Sequence, residues 1–293
     1  MTMLITLAPA KINLTLHVGS AKKNGRHPLD SFIVFAGAEA ADRITVETAD
    51  SLQFAVIGPF ADKCGDLNDN LVFKAAYALQ TVLQTDKGAR ITLVKHLPVA
   101  SGIGGGSADA GATLRQLNQL WGGPDTYDHL ISVGAQLGGD IAACILSRPL
   151  LMRGEGERLV PATIPAPLPA LLVNSGVPCS TAQVFQTFDA SGGGADFHET
   201  NPPQFKSTQS LLNWLDKTYN DLEAPAIVLH PEIAHTLATL KALPNVRFAR
   251  MSGSGATCFA LFDTMDEARA ALAALKTEQP DWWSVATELG GLG

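Results

Sequence analysis

The sequence predicts a two-domain α+β protein, on three observations. Its first part reads as a meander of strand-like segments, after which helix-like and strand-like segments alternate. Around residues 154–169, Gly154-Glu155-Gly156-Glu157 and then Pro161, Pro165, Pro167 and Pro169 interrupt all periodicity. The chain has 293 residues, of which 46% are hydrophobic, enough for two cores. The boundary is placed after residue 155, giving an N-terminal domain of 1–155 and a C-terminal domain of 156–293.

In order, residues 4–7 read as a strand, and residues 12–18 as a second one by alternation. Ile12, Leu14, Leu16 and Val18 face one way, while Lys11, Asn13, Thr15 and His17 face the other, which is either solvated or lines a site. Asn24-Gly25 signals a turn before strands at 32–36 and 43–47. Asp69 or Asn70 caps a helix that carries Leu71, Ala75, Ala78, Leu79 and Leu83 at helical spacing. A β-branched strand at 90–95 runs into a glycine-rich turn and then a helix on which Ala110, Leu114, Leu117 and Leu120 share a face. Trp121-Gly122-Gly123-Pro124 ends it.

A helix at 127–136 leads to Gly138-Gly139-Asp140 and the apolar residues 141–146. Asp140 has two readings here, a helix cap or a general base with glycines giving a ligand room. Beyond the break, a strand at 170–174, helices at 181–188, 210–215, 222–229 and 231–243, and a strand at 246–250 follow. Residues 191–196 read as a mobile loop. Met251-Ser252-Gly253-Ser254-Gly255-Ala256-Thr257 is a strand-to-strand turn before 258–262; a helix at 266–275 and a strand at 282–288 close the chain.

The net charge of −7, with no Lys/Arg run, argues against nucleic acid. No apolar span reaches the ~20 residues of a membrane helix, because Arg148 and Pro149 break the best one. Cys64, Cys144, Cys179 and Cys258 show no metal-type spacing and read as reduced thiols in a cytoplasmic protein.

The stretch with most chemical content is Pro98-Val99-Ala100-Ser101-Gly102-Ile103-Gly104-Gly105-Gly106-Ser107-Ala108-Asp109. Four glycines in five positions, opening a helix, leave backbone N–H groups and a positive dipole end free of any Cβ, as a phosphate requires. A plain surface loop with Ser107 as N-cap has the same composition. A Walker A loop is excluded because no Gly-Lys-Ser/Thr follows, and the dinucleotide fingerprint because Ser107 stands where glycine would be needed.

Three ordered segments together resemble the galactokinase, homoserine kinase, mevalonate kinase and phosphomevalonate kinase (GHMP) superfamily. They are Ala8-Pro9-Ala10-Lys11-Ile12-Asn13-Leu14, residues 98–108 and Met251-Ser252-Gly253-Ser254-Gly255. With Asn220-Asp221-Leu222-Glu223, they are most similar to the branch that phosphorylates a cytidine-diphosphate-linked methylerythritol in non-mevalonate isoprenoid biosynthesis. The resemblance implies a GHMP-kinase fold, with an N-terminal ribosomal-protein-S5-like domain that binds ATP and a C-terminal ferredoxin-like one. It also implies transfer of the γ-phosphoryl group of ATP, with Mg2+, to a 2-hydroxyl by a monomer or weak homodimer.

By matching position, the resemblance makes Lys11 and Asp140 catalytic. It places Pro98, Gly102, Ile103, Gly104, Gly105, Gly106, Ser107 and Ala108 on the ATP phosphates, and Asn70, Lys95 and His96 around adenine. Asn13, Arg26, His27, Thr181, Phe185, Gly253 and Ser254, with Asp140, fall to the alcohol substrate. No resident metal ligand is implied. Two positions depart from the pattern. Asn24-Gly25-Arg26-His27 stands where Asp-Gly-Tyr-His is usual, so that Arg26 would replace an aromatic on cytosine, and Ala256 replaces a proline. A sibling homoserine or mevalonate kinase, a non-catalytic nucleotide sensor and an RNA-binding S5-like protein are the rival readings; the acidic balance argues against the last.

Overall fold

The computed structural model describes residues 2–195 and 197–290. The chain begins with β1 (Met3–Pro9), β2 (Lys11–Asn13), β3 (His17–Val18), β4 (Leu29–Phe35), β5 (Ala41–Ala49) and β6 (Leu52–Ile57). It continues with α1 (Leu71–Leu83), β7 (Gly88–Val94), α2 (Gly105–Trp121), α3 (Asp128–Leu137) and α4 (Ile141–Leu146). There follow β8 (Leu150–Gly154), β9 (Arg158–Pro161), β10 (Leu168–Asn174), α5 (Thr181–Ala190), α6 (Thr208–Leu215), α7 (Glu223–Leu229) and α8 (Glu232–Ala242). The last elements are β11 (Phe248–Met251), β12 (Cys258–Leu261), α9 (Met265–Glu278) and β13 (Trp283–Leu289).

The chain folds into two compact units, each built from separated segments: residues 2–11, 40–99 and 104–147 in the first, and 12–39, 100–103 and 148 onward in the second. Where the sequence reading placed one division after residue 155, the chain passes between units five times. The physical reason is long-range pairing, because β4 runs antiparallel to β8, Leu29 opposite Gly154 through Ile33 opposite Leu150. That pairing draws residues 12–39 out of the early chain and into the second unit.

In the first unit, β1, β5, β7 and β6 form one sheet in that order. Only β6 and β7 run parallel, joined through α1 as a β-α-β crossover. Ile44, Val46, Ile91, Leu93, Leu114 and Leu117 are fully buried in this unit. In the second unit, β11, β12, β10 and β13 are ordered as an antiparallel sheet, and β10-α5…β11-β12-α9-β13 is the ferredoxin-like β-α-β-β-α-β succession. Its core includes Leu171, Val184, Phe188, Ile233, Met251 and Cys258. A further sheet, β2-β4-β8-β9 with β3 on β4, completes the unit.

The expected strand at 12–18 is two short ones. Leu14 and Thr15 both direct their N–H groups to the carbonyl of Phe32, while Thr15 Oγ1 accepts from Phe32 N–H, so the ladder bulges there. Its polar face is not solvated: Lys11, Asn13, Thr15 and His17 are all buried. Strands β6, β8 and β9 were not expected from the sequence. In the loop after α5, Gly194 accepts a bond from Ser20 N–H; Asp196 lies outside the described residues. No helix among the described residues is long and apolar enough to cross a membrane.

Candidate active site

Lys11 and Asp140, 129 residues apart, meet in the first unit, with Lys11 Nζ donating to Asp140 Oδ2 at 2.9 Å. The lysine side chain is 5% exposed and the aspartate 34%, so a buried ammonium is answered by a carboxylate that still reaches solvent. Asp140 occupies the N-cap position of α4 but makes no capping bond. The helix-cap reading of Asp140 therefore fails: the side chain is turned to Lys11.

Beside this pair lies the start of α2. Gly104, the N-cap, is left-handed at φ 63°, and no side chain caps the helix. A Cβ on Gly104 would sit 3.3 Å from Lys11 Cε and 3.8 Å from Asp140 Oδ2, so the glycine keeps that space open. A Cβ on Gly106 would meet only Leu71 Cδ1, at 3.7 Å, and Gly106 is exposed. The N–H groups of Gly105, Gly106 and Ser107 belong to the first helical turn, where a helix has no acceptor of its own. An anion placed there faces a helix dipole, an ammonium and a carboxylate together.

The loop narrows as a candidate cradle to residues 104–107. Pro98 and Ile103 are buried, and Ala108 N–H already donates to Gly104 O. Gly102 belongs to the second unit, where a Cβ on it would lie 2.6 Å from the carbonyl oxygens of Ser252 and Gly255. Its glycine is explained by that close approach of backbones.

Under the cradle sits a buried triad. Lys95 Nζ donates to Asp42 Oδ2 at 2.6 Å and to Asp109 Oδ2 at 2.7 Å. Asp42 Oδ1 accepts from His96 N–H at 2.5 Å and Leu97 N–H at 2.8 Å, so one carboxylate ties the strand end before the loop to the helix after it through Lys95. Burial alone would lower the Lys95 pKa, but the two carboxylates outweigh it and raise it. Burial lifts Asp109 to about 8 against the pull of Lys95, and the like charge of Asp42 adds to the rise. The Lys95 ammonium is thus shared between two aspartates, with its side chain only 3% exposed. Asn70 caps α1 through Val72 N–H at 3.0 Å, and His96 is exposed.

In the second unit, Asn13 N–H donates to Ser252 Oγ at 3.1 Å and Asn13 Nδ2 to Ser31 Oγ at 2.7 Å. Asn13 Oδ1 is buried without a partner, 3.3 Å from where a Cβ on Gly253 would be. Thr181 Oγ1 and Ser254 Oγ share a hydrogen bond of 2.8 Å. Asn220 Nδ2 donates to the carbonyls of Met251 and Gly253, and Glu223 accepts from Met251 N–H, which explains the Asn-Asp-Leu-Glu segment as the brace of this turn.

His27 Nε2 lies 2.8 Å from Asp189 Oδ1, and its ring centroid is 4.8 Å from that of Phe185. The Arg26 side chain is 74% exposed, and its nearest ionic partner is Glu155 at 3.7 Å. The sequence reading missed Asp42, Asp189 and Ser252. Two cavities of about 340 and 360 Å³ are lined by residues such as His17 and Tyr219, or Phe32 and Phe205, and by none of the predicted site residues.

Comparison with known proteins places these features in a family. The GHMP kinases N terminal domain pattern matches residues 70–148 and the GHMP kinases C terminal pattern residues 198–281. A 4-diphosphocytidyl-2-C-methyl-D-erythritol kinase of Hyphomonas neptunium is 49% identical over 286 residues, covering 97% of this chain and 95% of its own. One of Parvibaculum lavamentivorans is 43% identical, with 97% of each covered. A crystal structure of 4-(cytidine 5'-diphospho)-2C-methyl-D-erythritol kinase superposes with TM-score 0.79 at 31% identity, over 98% of this chain and 100% of the other. A homoserine kinase from Cytophaga hutchinsonii, at TM-score 0.71 and 18% identity over 100% and 96%, shares the fold.

Proposed function

The chain belongs to the 4-diphosphocytidyl-2-C-methyl-D-erythritol kinases of the GHMP family, and from that premise we propose that it transfers the γ-phosphoryl group of ATP to the 2-hydroxyl of the cytidine-diphosphate-linked methylerythritol. The observation that carries this reading is the Lys11–Asp140 pair, 2.9 Å long and flanking Gly104 at the open N-terminus of α2.

Phosphoryl transfer is mostly positioning and stabilisation of charge on the equatorial oxygens. The N–H groups of Gly105, Gly106 and Ser107 hold phosphate oxygens. Lys11 orients Asp140 and offsets charge that develops as the acceptor oxygen approaches phosphorus. Asp140 aligns the hydroxyl and takes its proton; because an alcohol is a very weak acid, that transfer comes late. Asn13, His27, Thr181, Phe185, Gly253 and Ser254 are assigned to the substrate. Among the described residues no cluster of three His, Cys, Asp or Glu side chains forms a metal site. A Mg2+ ion carried on the nucleotide's phosphates would neutralise their charge. Cytoplasmic residence is supported by the four cysteines, all free thiols.

Asp140→Asn tests the assignment. Turnover of ATP with the cytidylylated alcohol should fall by about 100-fold or more, while binding of a non-hydrolysable ATP analogue persists. Unchanged turnover would remove Asp140 from the mechanism, and turnover with homoserine or mevalonate alone would assign the chain to a sibling kinase.

A further inference from the structure

His27 is held on two sides by one helix. Phe185 and Asp189 are four residues apart on α5 and so share a face; the first packs against the imidazole and the second accepts from it. Phe188 adds an edge contact at 6.0 Å, and the His27 side chain is only 8% exposed. The ring therefore has a defined orientation.

An ionised carboxylate can only accept hydrogen bonds. The 2.8 Å contact consequently fixes the proton of a neutral imidazole on Nε2 and leaves Nδ1 an acceptor. No described residue hydrogen-bonds to that Nδ1. A pyrimidine that offers an exocyclic amine there gains a bond, whereas one that offers a carbonyl sets two acceptors against each other.

We propose that Asp189 is a positioning residue that, by fixing the His27 tautomer, makes the pocket select an amino-bearing base over a keto-bearing one. The proposal rests on the reading of His27 as a base contact. It concerns how a choice is made between cytidine-linked and uridine-linked forms of the same alcohol.

The two forms are compared side by side at one fixed pH. Wild-type protein should favour the cytidine form by about 100-fold in kcat/KM. In Asp189→Asn the amide can donate to Nε2 and move the ring proton to Nδ1, so that preference should fall at least ten-fold, through KM and not kcat. Asp189→Ala, which removes the acceptor without adding a donor, should give an intermediate ratio and serves if the first variant folds poorly; affinity for an ATP analogue checks the fold of each. If wild type discriminates and both variants keep its ratio within two-fold, Asp189 does not set the tautomer, and the kinase reading stands. If wild type turns over neither form, both readings fall.

Discussion

A methyl group placed on Gly253 would lie 2.6 Å from the carbonyl oxygen of Gly102, and both residues have positive φ, 57° and 76°. Within the second unit, the Gly102 segment and the Ser252–Gly255 turn are thus fitted backbone to backbone. Gly253→Ala should cost roughly 2–3 kcal/mol, because neither backbone can yield cheaply and alanine resists that φ. Gly106→Ala is the opposite case. With helical backbone and open space around it, the substitution should stabilise α2 by about 0.5 kcal/mol yet raise KM for ATP several-fold by filling the cradle. Denaturant unfolding read beside ATP kinetics checks both, and similar behaviour of the two variants would contradict the division of labour.

That contrast marks what the sequence could and could not reveal. The glycine run, the helix after it and its apolar face are local patterns, and so were legible. Which glycine answers to a ligand and which to packing depends on a turn 150 residues downstream. The alternation of residues 11–18 was visible, but the burial of its polar face was not, because β4 and the Ser252 turn that cover it come from elsewhere in the chain. Asp42 and Asp189 carry no local signal; each acquires its role from a partner 53 or 162 residues away.

The buried triad predicts a pH signature. Asp109 keeps its proton to about pH 8 in the fold, chiefly through burial, whereas an unfolded aspartate releases it near 4. Between those values the folded state binds more protons, so this group's contribution is full below pH 4 and declines as pH rises toward 8. Asp109→Asn keeps the shape and an acceptor for Lys95 but has no carboxyl to ionise. Relative to wild type, the variant should gain on the order of 4 kcal/mol between pH 5 and 8.5. A stability difference independent of pH would show that Asp109 is ionised throughout.

Asn220 offers the sharpest test of the brace behind the Ser252–Gly255 turn. Its Nδ2 donates to Met251 O at 2.9 Å and Gly253 O at 2.8 Å, while its Oδ1 accepts from Leu222 N–H at 3.0 Å. Asn220→Ala removes all three bonds and should cost about 2 kcal/mol, as two buried carbonyls lose their donor. Asn220→Asp keeps the shape, yet sets a carboxylate oxygen against those carbonyls, and should cost more, about 3–4 kcal/mol at neutral pH. Below pH 5, protonation restores one donor and the gap between the variants should close. In both, KM for the alcohol should rise more than KM for ATP, since the turn holds Gly253 and Ser254. If the isosteric aspartate were the milder substitution, the two carbonyl contacts would not be what holds the turn.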